Sequence, residues 1–207
     1  MKMSVTRALA ELKNLDSKIS NYTNLKFIDC KKSIQEVVCG VPIEDIEKGF
    51  QSNYDKIAST INNRDVIKRA VIASNAVTQV TIGYKTMSVA EAIDLKNTIN
   101  NKVQLLNAMR KQYSQAIKNV EQYNASIEDD AEMSAQNVFG QKQKSDTTEF
   151  KKYVQDYIDR NKYELIDPIK LKDKIDSLEG EIHTFKTEVD FVLSESNART
   201  EIEVYLS

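Results

Sequence analysis

The sequence predicts an all-α fold, either a bundle of long helices or one long helical hairpin, with a small β-sheet at one end. Three observations support this fold class. Only five Gly and two Pro occur in 207 residues, so few turns are available. Apolar residues recur at spacings of three and four over long stretches, whereas two short segments alternate instead. The length is that of a single domain, so residues 1–207 are expected to form one helical domain.

The first part of the chain is predicted to contain two long helices. A stripe of apolar residues predicts the first helix over Ser4–Tyr22. The run Ser33–Glu36 has the spacing of a capping box, which predicts the start of a short helix. Pro42 suits the first turn of the second long helix, which is expected to extend to about Ser74.

A hairpin and the longest helix are expected next. Residues alternate between β-branched and polar types over Val77–Ile82, and Gly83 with Tyr84 supplies a turn before the chain returns. A second capping box, Ser88–Glu91, opens a helix whose apolar stripe fades near Asn124.

The last third is predicted to hold a loop and two helices. Residues 125–147 are polar and irregular, which favours a mobile loop. A shorter helix is expected around 150–158, and Asp167–Pro168 begins the last one. The stripe of that last helix has heptad-like spacing, which predicts near-parallel packing and, because it exceeds what one short chain needs, a symmetric homo-oligomer. It consists of Leu171, Ile175, Leu178, Ile182, Phe185, Val189 and Val192.

Two segments of the chain resemble each other. Ser74–Ile82 and Ser196–Val204 both begin with Ser-Asn-Ala, place a Thr two residues later and then alternate. Both follow a long amphipathic helix, and Asn is common where helices end, so Asn75 and Asn197 are expected to be helix stops. We therefore expect Val77–Ile82 and Ile202–Tyr205 to be strands of the same small sheet.

These residues also carry a resemblance to a known family. The run Arg64–Lys68, then Ser74-Asn75-Ala76 with its alternating segment, then Ser88–Ala92 resemble the septicolysin-like helical proteins and related prophage proteins of unknown function. The resemblance covers residues 60–110 and the terminal Asn197–Val204. It implies a mostly helical fold and a phage origin, and it brings no catalytic residue with it.

Four cations lie within apolar stripes rather than opposite them. Arg64 and Lys68 continue the stripe of the second helix, and Lys96 and Arg110 do the same on the third. If these helices form an antiparallel hairpin, Lys68 and Lys96 fall in one layer with Arg64 nearby. Like charges in a partly buried layer need anions, so we expect at least two of the four cations to converge on one anionic site.

Several anions fit such a layer. Carboxylates on other helices are available as ion-pair partners, namely Asp65, Glu181, Glu188 and Asp190. The long side chains could instead lie along the stripe with their charges in water, or meet another subunit. A small anionic ligand such as a nucleotide or phosphate also suits Arg and Lys. The sequence leaves these alternatives open.

Other function classes are disfavoured. No glycine-rich phosphate-binding motif occurs, and His183 is the one histidine, so an enzyme is not expected. Cys30 and Cys39 with one His lack a fourth zinc ligand; we expect buried or incidental thiols in a reducing compartment, with a disulfide as the alternative. No metal or other cofactor is expected.

Net charge and hydropathy indicate which partners and which compartment to expect. A net charge of −2 without a dense basic tract argues against nucleic acid as a partner. No apolar run approaches the ~18–20 residues that span a membrane, and no secretory signal opens the chain. We expect a cytoplasmic protein, in the host cytoplasm if the gene belongs to a phage.

These observations favour a self-associating, phage-type accessory protein that acts by binding. One version is a counter-defence protein that sequesters a nucleotide signal at Arg64, Lys68, Lys96 and Arg110. The alternative is a structural component of a virion or of its assembly.

Overall fold

The computed structural model describes residues 1–22, 24–140 and 147–206, and it confirms a mostly helical fold with small two-stranded sheets. Contacts divide the chain into two compact units, one comprising Met1–Asn97 with Thr184–Ser207 and the other Thr98–His183. The elements, in chain order, are β1 (Lys2–Ser4), α1 (Val5–Tyr22), β2 (Val37–Val38), β3 (Val41–Pro42), α2 (Ile43–Val77), β4 (Gln79–Ile82), β5 (Lys85–Ser88), α3 (Val89–Asn124), α4 (Ile127–Phe139), α5 (Thr148–Asn161), α6 (Leu171–Arg199) and β6 (Glu201–Glu203).

The main core of the first unit joins α1, α2 and the strands β1 and β6. Its apolar side chains come from the predicted stripe of α1, from the last turns of α2 and from alternate residues of both strands. The buried members are Met3, Val5, Ala8, Leu12, Leu15, Ile67, Val71, Ile202 and Val204. The strands β1 and β6 therefore pack against α1 and α2 in addition to pairing with each other.

The predicted hairpin connects α2 to α3. β4 pairs with β5 in antiparallel register, and Val80 and Ile82 point into the core. The Val89 amide donates to the Thr78 carbonyl at 2.9 Å, which closes the pair where the two helices meet it. Ser88 and Glu91 form the predicted capping box: the Glu91 amide donates to the Ser88 hydroxyl at 3.2 Å, and the Ser88 amide donates to the Glu91 carboxylate at 2.7 Å.

The second Ser-Asn-Ala segment leads into a different sheet. β6 pairs antiparallel with β1, with Met3 opposite Ile202. The Val5 amide donates to the Thr200 carbonyl at 2.9 Å, the counterpart of the bond from Val89 to Thr78. The prediction that Val77–Ile82 and Ile202–Tyr205 share one sheet is therefore wrong, because the first segment pairs with β5, which leads into α3, and the second pairs with β1, which leads into α1.

The helices also end later than the asparagines suggest. Asn75 lies inside α2 and Asn197 inside α6, so the expectation that they are helix stops is wrong. The first extended residue after α2 is Thr78, whose amide still donates to the Ser74 carbonyl at 2.9 Å. Thr200 makes the same bond to Ser196 at 2.9 Å. A β-branched residue that favours extended backbone ends each helix.

Residues 24–42 lie between α1 and α2, and we call them the connector. The short helix predicted at Ser33–Glu36 is absent from this range; a turn occupies Ser33 and Ile34, and β2 pairs with β3. Every side chain in the connector is exposed or half-buried. Without an apolar face to bury, a short helix gains too little to form.

In the second unit, α4 packs against α5. Residues 127–139 belong to the segment predicted as a mobile loop, but they form α4, and Ala131 and Ala135 are fully buried. The two small residues sit one turn apart among acidic neighbours, so they leave almost no apolar signal in the sequence. Residues 141–146 of the predicted loop lie outside the described residues.

The heptad-like stripe of α6 is buried at four of its seven positions. Ile175 and Ile182 are buried in the second unit, and Phe185 and Val189 in the first. The helix begins at Leu171, later than the predicted start at Asp167–Pro168, and the Leu171 amide donates to the Asp167 carboxylate at 2.9 Å. Much of this stripe is thus covered within the chain, so it does not by itself require a second copy.

Candidate functional site

Arg64 is the most highly connected of the four predicted cations. Its Nε donates to the Asp16 carboxylate at 2.6 Å, which links α2 to α1, and its Nη1 lies 3.1 Å from Asp65. The bond to Asp16, followed by the bond to Asp65, raises the pKa of Arg64. The guanidinium remains about one-third exposed. Two carboxylates of the chain thus already accept hydrogen bonds from the Arg64 guanidinium.

Lys68 and Lys96 lie in the same unit but have different surroundings. Lys96 forms an ion pair with Asp190 at 2.5 Å, which connects α3 to α6. Lys68 is exposed and forms no ion pair with any of the described residues. Asp65 and Asp190 are two of the four carboxylates that the sequence offered as partners; Asp65 pairs with Arg64, and Asp190 pairs with Lys96.

Arg110 belongs to the second unit, where it pairs with Glu179 of α6. This contact raises the pKa of Arg110 and lowers the pKa of Glu179. Lys102 was not among the predicted cations. It lies eight residues before Arg110 on α3 and pairs at 2.8 Å with Glu181, which lies two residues after Glu179 on α6. Ion pairs between partly exposed side chains therefore join α3 to α6 within this unit; such pairs contribute little to stability, but each gives its cation an anionic partner.

Glu188, another of the offered carboxylates, has a different role. It accepts a hydrogen bond from the Gly83 amide at 2.8 Å and so holds the turn of the β4–β5 hairpin against α6. Gly83 is required here because its φ is +58° and a Cβ atom would lie 2.9 Å from Thr184 Cγ2.

Several exposed apolar side chains of the first unit lie in one short stretch of the connector. Ile28 and Ile34 are 81% and 94% exposed. Phe27, Val37 and Val41 are also exposed. Five exposed apolar residues within fifteen positions exceed the scattered exposure that a protein surface normally shows.

The second unit has a smaller stretch of the same kind between α5 and α6. Ile166 is 98% exposed, and Tyr163 and Ile169 are more than half exposed. Tyr163 is held in place by Asn124, which exchanges two hydrogen bonds of 2.8 Å with its backbone. Each unit therefore presents one apolar surface segment.

Among the described residues, no group of three or more His, Cys, Asp or Glu side chains is arranged to hold a metal ion. Cys30 and Cys39 are free thiols on the surface of the connector. None of the helices in the described ranges has the length and apolar content needed to cross a membrane.

Strand β1 is the feature that the sequence reasoning missed. Met3-Ser4-Val5 repeats Met87-Ser88-Val89, and each triplet ends a strand and begins a helix. Pairing this repeat with the Ser-Asn-Ala repeat would have predicted the correct partners of β4 and β6.

Comparison with protein-family models, with curated proteins and with solved structures gave no match. The resemblance to septicolysin-like and prophage proteins therefore stays a prediction.

Proposed function

We propose that this protein is a non-enzymatic, self-associating protein of phage type that acts by binding, and that it serves as an assembly component. The observation that carries this proposal is the exposed apolar surface of the connector, with Ile28 and Ile34 at its most exposed points. Exposed apolar residues concentrated in one short segment favour a protein–protein contact there.

The ion pairs favour assembly over capture of a small anion. Arg64, Lys96 and Arg110 each lie against carboxylates of the chain itself. A nucleotide would have to compete with those carboxylates for the same donors. Protein–protein contact through the connector requires no such competition.

Sequestration of a nucleotide remains a second proposal, supported by Lys68. This side chain is exposed and without an ion-pair partner among the described residues, one helical turn from Arg64. Calorimetric titration with mono- and dinucleotides at two salt concentrations tests it. Binding that Lys68→Ala abolishes would support sequestration; no heat with any nucleotide would remove it.

Light scattering at micromolar concentration tests the assembly proposal directly. We expect a mass above that of one chain, and we expect the paired substitution Ile28→Ser with Ile34→Ser to reduce it to one chain. Both side chains are exposed, so the substitutions should leave the folded unit intact, which circular dichroism checks.

Ile166→Ser is the matched control because it removes an equally exposed isoleucine from the second unit. Its oligomer should be unchanged if the connector is the contact surface. A wild-type protein that is monomeric would refute the proposal. Loss of the oligomer only in Ile166→Ser would move the contact to the second unit.

A further inference from the structure

The strand pair β1–β6 is a β-hairpin that lacks its turn. Met1 and Val204 exchange two hydrogen bonds, from the Met1 amine to the Val204 carbonyl at 2.7 Å and from the Val204 amide to the Met1 carbonyl at 2.9 Å. Met1 corresponds to Lys85 of the β4–β5 hairpin, and Val204 corresponds to Ile82. In that hairpin, these two residues flank the turn of Gly83 and Tyr84. Residues 203 positions apart thus meet as the two sides of a tight turn do.

Strand β1 and helix α1 are consecutive in the chain and can move together as one segment. The side chains of α1 that are buried pack in the core with α2, β1 and β6. The connector that follows buries none of its side chains. One hydrogen bond, from the Asn53 amide group to the Lys26 carbonyl at 2.9 Å, ties its first part to α2.

From this arrangement we infer that copies of the chain associate by exchanging β1 and α1, so that β6 and α2 of one copy receive β1 and α1 of a second copy. The inference rests on the proposed self-association and specifies how it occurs. All contacts of the main core are kept in the exchanged form, because the same residues meet across two chains. The connectors of the two copies then cross beside each other, which brings their exposed apolar residues into contact.

A cross-strand disulfide distinguishes exchange from ordinary association. Lys2 and Glu203 face each other next to the hydrogen-bonded pair of Met1 and Val204, so they form a non-hydrogen-bonded pair with close side chains. In a background of Cys30→Ser and Cys39→Ser, Lys2→Cys with Glu203→Cys should oxidise to a disulfide. We expect this disulfide to join two chains, giving a covalent dimer under denaturing, non-reducing conditions.

Thr81→Cys with Thr86→Cys is the matched control. These residues hold the corresponding positions in β4 and β5, and their hydroxyls lie 3.0 Å apart. Because a two-residue turn joins their strands, their disulfide should stay within one chain. Covalent dimers from both pairs would indicate random collision and overturn the inference.

The outcomes also separate this inference from the proposed function. A dimer by light scattering whose Lys2–Glu203 disulfide is intramolecular would refute exchange and leave self-association intact. A monomer at every concentration would refute both.

Charge reversal gives an independent test if the cysteine variants fail to fold. Lys2 pairs with Glu201 at 3.4 Å. Lys2→Glu and Glu201→Lys each create a like-charge pair within a chain, but mixing the two variants restores both opposite pairs only in an exchanged heterodimer. We expect heterodimers to exceed the statistical half in native mass spectra. A statistical mixture would contradict exchange.

Discussion

The hairpin β4–β5 and the strand pair β1–β6 are built alike although only one of them has a turn. In both, a Thr after Ser-Asn-Ala accepts, through its carbonyl, a hydrogen bond of 2.9 Å from the amide of the Val that begins the helix after the partner strand, which is Val89 for Thr78 and Val5 for Thr200. In both, alternate residues of the strand that follows the Thr are buried. Because β1–β6 reaches the same register without a covalent turn, the helix ends are enough to set it.

The two pairs differ in what they are packed against. Met3, Ile202 and Val204 of the terminal pair belong to the main core, whereas the hairpin is held by Glu188 and by the close approach of Gly83 to Thr184. Substitutions at these supports should therefore affect one pair more than the other.

The largest effect is expected from Ile67→Ala. Ile67 is fully buried in the main core, so the substitution should lower the free energy of unfolding by about 3 kcal/mol in urea denaturation. Amides of β1 and β6 should lose more protection from hydrogen exchange than those of β4 and β5. Ile72→Ala, at a 56% exposed position, should change stability by less than about 0.5 kcal/mol. Equal loss of protection in both strand pairs would contradict the division of supports.

Gly83→Ala should act on the hairpin alone. A residue with a Cβ atom at φ +58° costs about 1–2 kcal/mol, and the contact with Thr184 Cγ2 adds to that cost. Thr184→Ser removes this methyl group, so adding it to Gly83→Ala should recover part of the stability, as measured by thermal denaturation. Full recovery would mean that the backbone conformation contributes nothing.

The helix caps that follow the two strand pairs should differ in strength. Ser88→Ala should cost about 1 kcal/mol because the hydroxyl accepts from the Glu91 amide and donates to its carboxylate. Ser4→Ala should lower stability by about half as much. Ser4 accepts a hydrogen bond from the Arg7 amide, but the residue at that position is Arg rather than the Glu that completes the capping box at Ser88. Urea denaturation of both variants checks the order, and a larger effect at Ser4 would contradict it.

The smallest effect is expected on how stability depends on pH at the cap that follows the β4–β5 hairpin. Hydrogen bonds from the Ser88 amide and then the Ser88 hydroxyl lower the pKa of Glu91 in the folded protein. Because the unfolded chain binds the proton more readily, this group stabilises the fold above its unfolded pKa and loses that contribution as pH falls through its folded pKa. Glu91→Gln should flatten the stability curve over this acidic range. An unchanged curve would show that the carboxylate adds nothing to the cap.

The long helices and the hairpin could be predicted because periodicity and capping signals are local. The partner of β6 could not be predicted from alternation, because a strand of three residues is compatible with any neighbouring edge. The carboxylates that pair with the cations could not be predicted either. Asp16 lies 48 positions before Arg64, and no local pattern indicates that α1 brings it there. The helix α4 escaped prediction because Ala131 and Ala135 provide its whole buried face.

The alanines three residues after the strand–helix junctions have a consequence for how relatives of this chain would look. Ala8 and Ala92 have no exposed surface, and each lies three positions after the valine that closes a strand pair. A larger side chain at either place would push the first turn of the helix away from the core. We therefore expect related chains to keep a small residue in both patterns of Ser-Val-x-x-Ala, even where the helices themselves have diverged beyond recognition.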